Sequence, residues 1–484
     1  MKNQLHARLF RRSALPAILV QVLGLCSLAH AAEPSLRRDL NALVASAAQL
    51  GATTAVEVVS VPTGEVLYAR NARAPLIPAS NMKLISGAVA LETLGGDAVF
   101  ATTVSAIAPV DAEGTIAGPL ILAGTGDSTL QTADLAGIAR QLRQLGVRRV
   151  TGDLIVDSDC FAERGMGEGW LPTDENRSFA AQICGLCVNW NCVEITVSPG
   201  LEAGAPVLMA IEPMTSYVRL QVLATTVPAG RPAALIIYRN TGENTFIVNG
   251  SIALADEPMT LRRTVHEPDL YVGHVLNEAL MAAGVVVEGA VRRGTLPPDA
   301  MVLAFHHSEP IRGIFTAMMK YSANLTCEQL YRVASFVHEG QGAESASERL
   351  ARSLLEAAGA DVSRLRFADA CGLSKQNRLT ARAITSLLRH MWLHSPEAEL
   401  FVDSLPIAGV DGTLQKRMVG TAAENNLRAK TGTLNGVCSL SGYVIARDGE
   451  PLCFAVLMNG FNGGPTPVQQ IQDAIGARLA EVRR

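Results

Sequence analysis

Apolar residues along this chain keep a helical rhythm in some stretches and a strand rhythm in others. From Leu84 they recur at Ile85, Ala88, Val89, Leu91 and Leu94, which predicts a helix with one buried side. Gly95-Gly96 predicts its end, and Pro75 and Pro78 predict the loop that delivers the chain to its start. Upstream, Thr54 to Val61 is β-branched and partly alternating, Pro62-Thr63-Gly64-Glu65 makes a turn, and Val66 to Arg70 returns as a hairpin. Beyond Gly96 short strands are predicted at Phe100 to Ile107, Gly118 to Ala123, Val150 to Asp157, Val193 to Ser198, Val218 to Ala224, Ala234 to Tyr238, Phe246 to Leu254 and Leu261 to Val265, with one helix at Asp134 to Leu145. From Pro268 helices return, at Leu270 to Ala283, Ile311 to Tyr321, Leu325 to His338, Ala343 to Ala358 and Thr380 to His394. A strand at Leu427 to Thr431, a hairpin of Ser439 to Ala446 with Leu452 to Met458, and a closing helix marked by Val468, Ile471, Ile475, Leu479 and Val482 complete the chain.

This order brackets a β-rich block between two α/β stretches. It predicts an α/β (α+β) domain split by an insertion. The first hairpin, the last hairpin and the Lys430 strand would form one antiparallel sheet flanked by helices. No fixed-period repeat interrupts the pattern.

Composition narrows the class. The 484 residues suggest about three domains. With 48% hydrophobic and 18% charged residues, the chain can bury a large core. Its net charge of −4 gives no basic footprint, which argues against nucleic acid as a partner. Lys2, Arg8, Arg11 and Arg12, the apolar run Ala14 to Leu28 and Ala29-His30-Ala31 predict a secretory signal cleaved after Ala31. Leu23-Gly24-Leu25-Cys26 is a poor lipoprotein box because Leu25 is bulky, and Arg11-Arg12 is a weak twin-arginine signal. No later segment is long and apolar enough to span a bilayer, so an exported, soluble product in the periplasm is expected. Eight of the nine cysteines lie beyond the signal. Cys184-x-x-Cys187 lacks both a following His and a second Cys-x-x-Cys, so a local disulfide or buried thiols are expected, with neither metal nor cofactor. Asp127, Asp153, Asp157 and Asp159, spaced like ligands at strand ends, are expected to be turn and capping residues.

Candidate chemistry comes from three short motifs in order: Ser80-x-x-Lys83, Ser322-x-Asn324 and Lys430-Thr431-Gly432. Positions i and i+3 share a helix face, so the Lys83 amine can reach the Ser80 hydroxyl. A serine hydroxyl is a weak nucleophile and needs such a base. Lys83 serves as one if burial and a second cation, Lys430, lower its pKa. Ser322 can relay a proton between either lysine and a leaving amine, and Asn324 can position Lys83 and bind substrate backbone. The N–H groups of Ser80 and Thr433 would form an oxyanion hole. Lys430, Thr431 and Thr433 would attract a substrate carboxylate, and Gly432 would let substrate lie against the strand.

With these motifs the chain resembles the D-alanyl-D-alanine carboxypeptidase/endopeptidase family of class C low-molecular-mass penicillin-binding proteins, the penicillin-binding protein 4 type (peptidase family S13). Longer stretches carry the resemblance too: Leu122 to Asp127, Met318 to Leu325 with Glu328, Asp369-Ala370-Cys371-Gly372-Leu373-Ser374, and Pro406 to Leu414. The resemblance covers residues 35 to 480. It implies cleavage of terminal D-Ala from peptidoglycan stem peptides and of D-Ala–diaminopimelate cross-links, and acylation by β-lactams. It also implies a two-part insertion between Ser80 and Ser322. The expected division is a signal at 1–31, a catalytic domain from 32–98 and 266–484, a β-rich insertion from 99–126 and 198–265, and a second insertion at 127–197 nested within it. The chain departs from the family where it has Gly126-Asp127-Ser128 for Gly-Asp-Pro, and Asp369-Ala370-Cys371-Gly372 for Asp-Gly-Ser-Gly. Two other functions share features with it. A serine β-lactamase or esterase has the same trio, but a class A β-lactamase also needs a deacylating glutamate in a Glu-x-x-Leu-Asn setting. Glu397 and Glu399 lie in the right interval without that Asn. A non-catalytic wall-binding scaffold would not need the intact trio.

Overall fold

Strand Pro451–Asn459 is the centre of five antiparallel strands, in the order Arg428–Leu434, Val437–Ile445, Pro451–Asn459, Thr53–Ser60 and Val66–Arg70. Its side chains alternate between two cores, as a strand's period requires. Cys453, Ala455 and Leu457 enter one, while Leu452, Phe454, Val456 and Met458 enter the other. That two-sided burial explains the unbroken apolar run here. Helices Met82–Leu94, Asn324–Glu339 and Ala381–His394 fill the first core. Helices Pro34–Gln49 and Thr466–Ala480 cover the opposite face through Leu36, Leu40, Val468, Ile475 and Leu479. The expected antiparallel sheet is present. The helix Pro34–Gln49 has no counterpart among the expected elements. This computed structural model describes residues 34–232 and 234–483, so the signal and Cys26 lie outside the described residues.

The nucleophile helix differs from expectation. It is buried along its whole length except at Glu92 and Thr93, not on one side. It runs through the domain centre, packed against Asn324–Glu339, Glu344–Ala357 and Ala381–His394. A helix that is apolar all round is stable only in such a place. Polar groups at its start are thereby carried into the interior.

The insertion is organised differently from the division expected above. Its main sheet runs Val291–Arg293, Leu154–Asp157, Leu120–Gly124, Ala101–Ala106, Met301–His307. Leu120–Gly124 and Leu154–Asp157 pair in parallel, with the helix Thr132–Gln144 in the connection between them. A boundary at 126/127 therefore falls inside a βαβ unit. Cys192–Ser198 pairs with Met259–Thr264, which joins 192–197 to the segment that follows instead of the one before. The helix Pro268–Ala282 and the strand Met301–His307 also belong to the insertion, because Tyr271, Leu276 and Ala304 lie in its core. The chain re-enters the catalytic core at Ile311, well after 266. Short strand signals located Ala101–Ala106, Leu120–Gly124 and Leu154–Asp157 but not Val291–Arg293 or Met301–His307, and parallel pairing across a helix leaves no trace in local periodicity. Within the insertion the segment around 160–187 turns back, and Phe161, Trp170, Ala180 and Ile183 pack into the catalytic core.

The four aspartates at strand ends hold turns and loops. Asp127 accepts from the Thr129 N–H, Asp157 from the Asp159 and Leu296 N–H groups, and Asp153 from the Ala290 N–H, while Asp159 accepts from the Thr295 hydroxyl. All eight described cysteines are free, seven of them buried, so the thiol alternative holds. Burial pushes the Cys160, Cys192, Cys327 and Cys453 thiols up to about 12, which makes them poor nucleophiles. Among the described residues no helix is long and apolar enough to cross a membrane.

Candidate active site

The chain enters the site through Pro78 and Ala79, whose φ of 46° is left-handed, and a short 3-10 turn, Ala79–Asn81, that leads into the nucleophile helix. This turn is bound to the Lys430 strand and its neighbour. Asn81, fully buried, donates from Nδ2 to the Lys430 carbonyl at 2.7 Å and accepts from the Ser441 hydroxyl at 2.7 Å. The Ser439 hydroxyl donates to the Pro78 carbonyl at 2.6 Å. Gly432 permits this contact. A Cβ there would lie 2.2 Å from Ser439 Oγ and 2.8 Å from the Ser80 nitrogen. Substrate access was the role expected for this glycine; its immediate one is to let two backbones touch.

One turn along the helix, Lys83 is fully buried. Its Nζ donates to Ser80 Oγ at 3.2 Å, to Asn324 Oδ1 at 2.7 Å and to the Cys371 carbonyl at 2.7 Å. Ser322 and Asn324 come from the break between the helices Ile311–Tyr321 and Asn324–Glu339, where Ser322 caps the first helix at φ 60°. A non-glycine residue held in that region marks backbone ordered by its surroundings. Asn324 also donates from Nδ2 to the Phe179 carbonyl at 2.8 Å, a contact supplied by the insertion.

Lys430 is likewise fully buried, and its Nζ donates to Ser322 Oγ at 3.0 Å. Burial first, and then the Lys83 charge, push the Lys430 amine well below the usual lysine range. Influence was expected to run from Lys430 toward Lys83; here the same repulsion is seen acting on Lys430. Thr431 is half-buried and Thr433 exposed on the same strand, and the Thr433 hydroxyl accepts from the Gln469 amide at 3.5 Å. All eight expected residues lie on one turn with the helix it opens, one helix break and one strand that meet around Ser80.

The Cys371 carbonyl, a backbone atom with no signature in sequence, is held by a buried network. Glu328 accepts the Ala370 and Cys371 N–H groups on Oε1, each at 2.9 Å, and pairs through Oε2 with Arg332 at 2.7 Å. Burial raises the Glu328 carboxyl above its ordinary range, and the Arg332 charge opposes that rise. Asp369 accepts from the Gly372 and Ser374 N–H groups, from the Asn377 amide and from the Trp170 indole. Glu328, Asp369 and Cys371 are close enough together to ligate a metal, but the two carboxylates are occupied by these donors. Gly372 sits at φ +84° with its missing Cβ directed 1.9 Å from the Ala79 carbonyl, so this loop presses on the nucleophile turn. Asn81 and Asp369 went unassigned at the sequence level. The available signal for Asn81 was an amide at the mouth of an otherwise apolar, buried helix.

Residues 36–482 match the family described as D-Ala-D-Ala carboxypeptidase 3 (S13). A D-alanyl-D-alanine carboxypeptidase from an Actinomadura species is 39% identical over 460 residues, covering 92% of this chain and 84% of that protein. The crystal structure of penicillin binding protein 4 (dacB) from Haemophilus influenzae superposes with a TM-score of 0.81 at 23% identity, covering 90% of this chain and 99% of the other. The same protein complexed with a β-lactam superposes with a TM-score of 0.75 at 22% identity, covering 92% and 99%.

Proposed function

This chain belongs to the D-Ala-D-Ala carboxypeptidase 3 (S13) family, and on that premise we propose that it is a serine-type D-Ala-D-Ala carboxypeptidase and DD-endopeptidase that works through an acyl-enzyme at Ser80. Its substrates are peptidoglycan stem peptides and their cross-links, and β-lactams are its covalent inhibitors. It acts in the periplasm after export through the signal at 1–31. One observation carries the assignment: Lys83 Nζ touches Ser80 Oγ and Asn324 together, while Lys430 holds Ser322 beside them.

In this mechanism Lys83 takes the Ser80 proton as Oγ attacks the carbonyl of the penultimate D-Ala. The oxyanion forms between the Ser80 and Thr433 N–H groups, a type of contact that lowers barriers by about 3 kcal/mol. Ser322, held by Lys430, gives its hydroxyl proton to the departing D-Ala amine and takes in exchange the proton that Lys83 accepted from Ser80, which returns Lys83 to its role as base. Thr431 and Thr433 hold the terminal carboxylate beside Lys430. Water then hydrolyses the ester with Lys83 as base.

A β-lactamase is disfavoured by Glu397, which accepts the Gly96 N–H just past the far end of the nucleophile helix. At 1.5 Å per residue that end is roughly 20 Å from the helix start, out of reach of an acyl-enzyme. A scaffold without activity does not explain two lysines buried in one site, an arrangement that costs stability.

Purified protein incubated with muropeptides, with products read by mass, tests the function. Loss of one alanine from pentapeptides and cleavage of dimers are expected; unchanged muropeptides with folded protein would refute it. Gly432→Ala tests the close approach at the nucleophile. Its new methyl must displace Ser439, Ser80 or Pro78, and a shift of about 1 Å costs about 100-fold in acylation rate. Fluorescent-penicillin labelling should slow by that order while the circular dichroism spectrum is retained; a rate within twofold of wild type would show that the contact does not matter.

A further inference from the structure

The stretch Pro406 to Leu414 has no part in the chemistry above, yet it is built into the site from two sides. Asp411 accepts the Ile407 N–H on Oδ1 at 2.8 Å and the Lys320 ammonium on Oδ2 at 2.7 Å. Lys320 also donates to the Leu405 carbonyl at 2.6 Å, and it stands two residues before Ser322 on the same helix end. Gly412, at φ +54°, presses against that helix, with its missing Cβ directed 2.6 Å from the Lys320 carbonyl. Leu414, fully buried, pins the loop to the core behind the sheet. Between these anchors Thr413 is exposed, and its Oγ1 accepts from the Thr431 hydroxyl at 2.7 Å. The helix end that presents Ser322 thus also holds the loop that reaches the strand presenting Lys430.

A hydroxyl has one proton and two lone pairs. If Thr431 donates to Thr413, its proton is spent within the protein. If Thr413 donates to Thr431, the Thr431 proton is free to meet an anion. An anion in the pocket selects the second arrangement, because a charge-assisted bond is stronger and each bond of the chain polarises the next. We propose that Thr413 is a specificity-determining residue, which turns the Thr431 hydroxyl toward a free terminal carboxylate and so separates substrates ending in an acid from those ending in a neutral group. It is a positioning residue acting through Thr431, and its assignment rests on the function proposed above.

Two peptides test it, identical except that one ends in D-Ala-D-Ala and the other in D-Ala-D-alaninamide. KM is measured for the acid, and Ki for the amide as its competitor. Wild-type protein should favour the acid. Thr413→Val should raise KM for the acid about 10-fold, because the Thr431 proton is no longer directed at the carboxylate and that charge-assisted bond is weakened, and leave Ki for the amide within about twofold. Thr413→Ser should restore the preference. Equal changes for both peptides, no change for either, or a wild type without preference would overturn the inference. A wild type that releases no D-Ala from the acid would instead overturn the function on which it rests. Thr413 is exposed, so the variants keep their fold.

Discussion

Ser80→Ala protein is expected to keep its fold and lose turnover of D-Ala-D-Ala peptides by about 10⁶-fold, the scale on which removing a serine nucleophile acts. The size follows from the site's construction. Lys83 touches the Ser80 hydroxyl, Asn324 holds Lys83, and Lys430 holds Ser322, so with that hydroxyl gone none of them can form the ester. Among the described residues the Ser80 side chain is in no core cluster and has one side-chain partner, the Lys83 amine at 3.2 Å, so stability should change little. Release of D-Ala, followed by mass or by a coupled amino-acid assay, measures the loss. Residual turnover within 100-fold of wild type would mean that another group attacks.

Glu328→Ala is expected to have the largest effect on stability. Glu328 is fully buried, holds two peptide N–H groups and faces Arg332, whose side chain is 4% exposed. Truncation leaves the buried guanidinium with Glu344 at 3.5 Å as its remaining ion pair among the described residues, and leaves the Ala370 and Cys371 N–H groups without their acceptor. Breaking a buried ion pair in this way costs about 3–5 kcal/mol, enough to lower the melting temperature by on the order of 10 °C. The Cys371 carbonyl would also lose its support, so acylation by penicillin below the melting temperature should slow with it. Glu328→Gln keeps an acceptor for both N–H groups and should lose less of each. A melting point within 2 °C of wild type for the alanine variant, read by calorimetry as the scan rate is varied, would show that the network does not anchor this loop.

The parts of this protein that were legible in sequence are those in which local pattern and chemistry coincide. Ser80 and Lys83 are three apart at a helix start, Ser322 and Asn324 lie in a break between two helices, and Lys430 lies within an edge strand. Each motif therefore carries its own local context. The central sheet was legible because both hairpins have turn residues between short runs of β-branched and apolar residues. The insertion was not, because pairing of Leu120–Gly124 with Leu154–Asp157 and of Ala101–Ala106 with Met301–His307 is a matter of distant contacts. The nucleophile helix was misread as one-sided because Lys83 and Ser86 interrupt its apolar surface. Both are buried, and both are satisfied by carbonyls of the 370–371 backbone. Those carbonyls, like the Phe179 carbonyl on Asn324, have no residue type by which to find them.

The most direct measurement is to locate the acyl group. Protein treated with benzylpenicillin, digested and read by mass spectrometry should carry one intact penicilloyl group, on the peptide containing Ser80, and the adduct should vanish in Ser80→Ala. An adduct on any other residue, or one that persists in Ser80→Ala, would contradict the account.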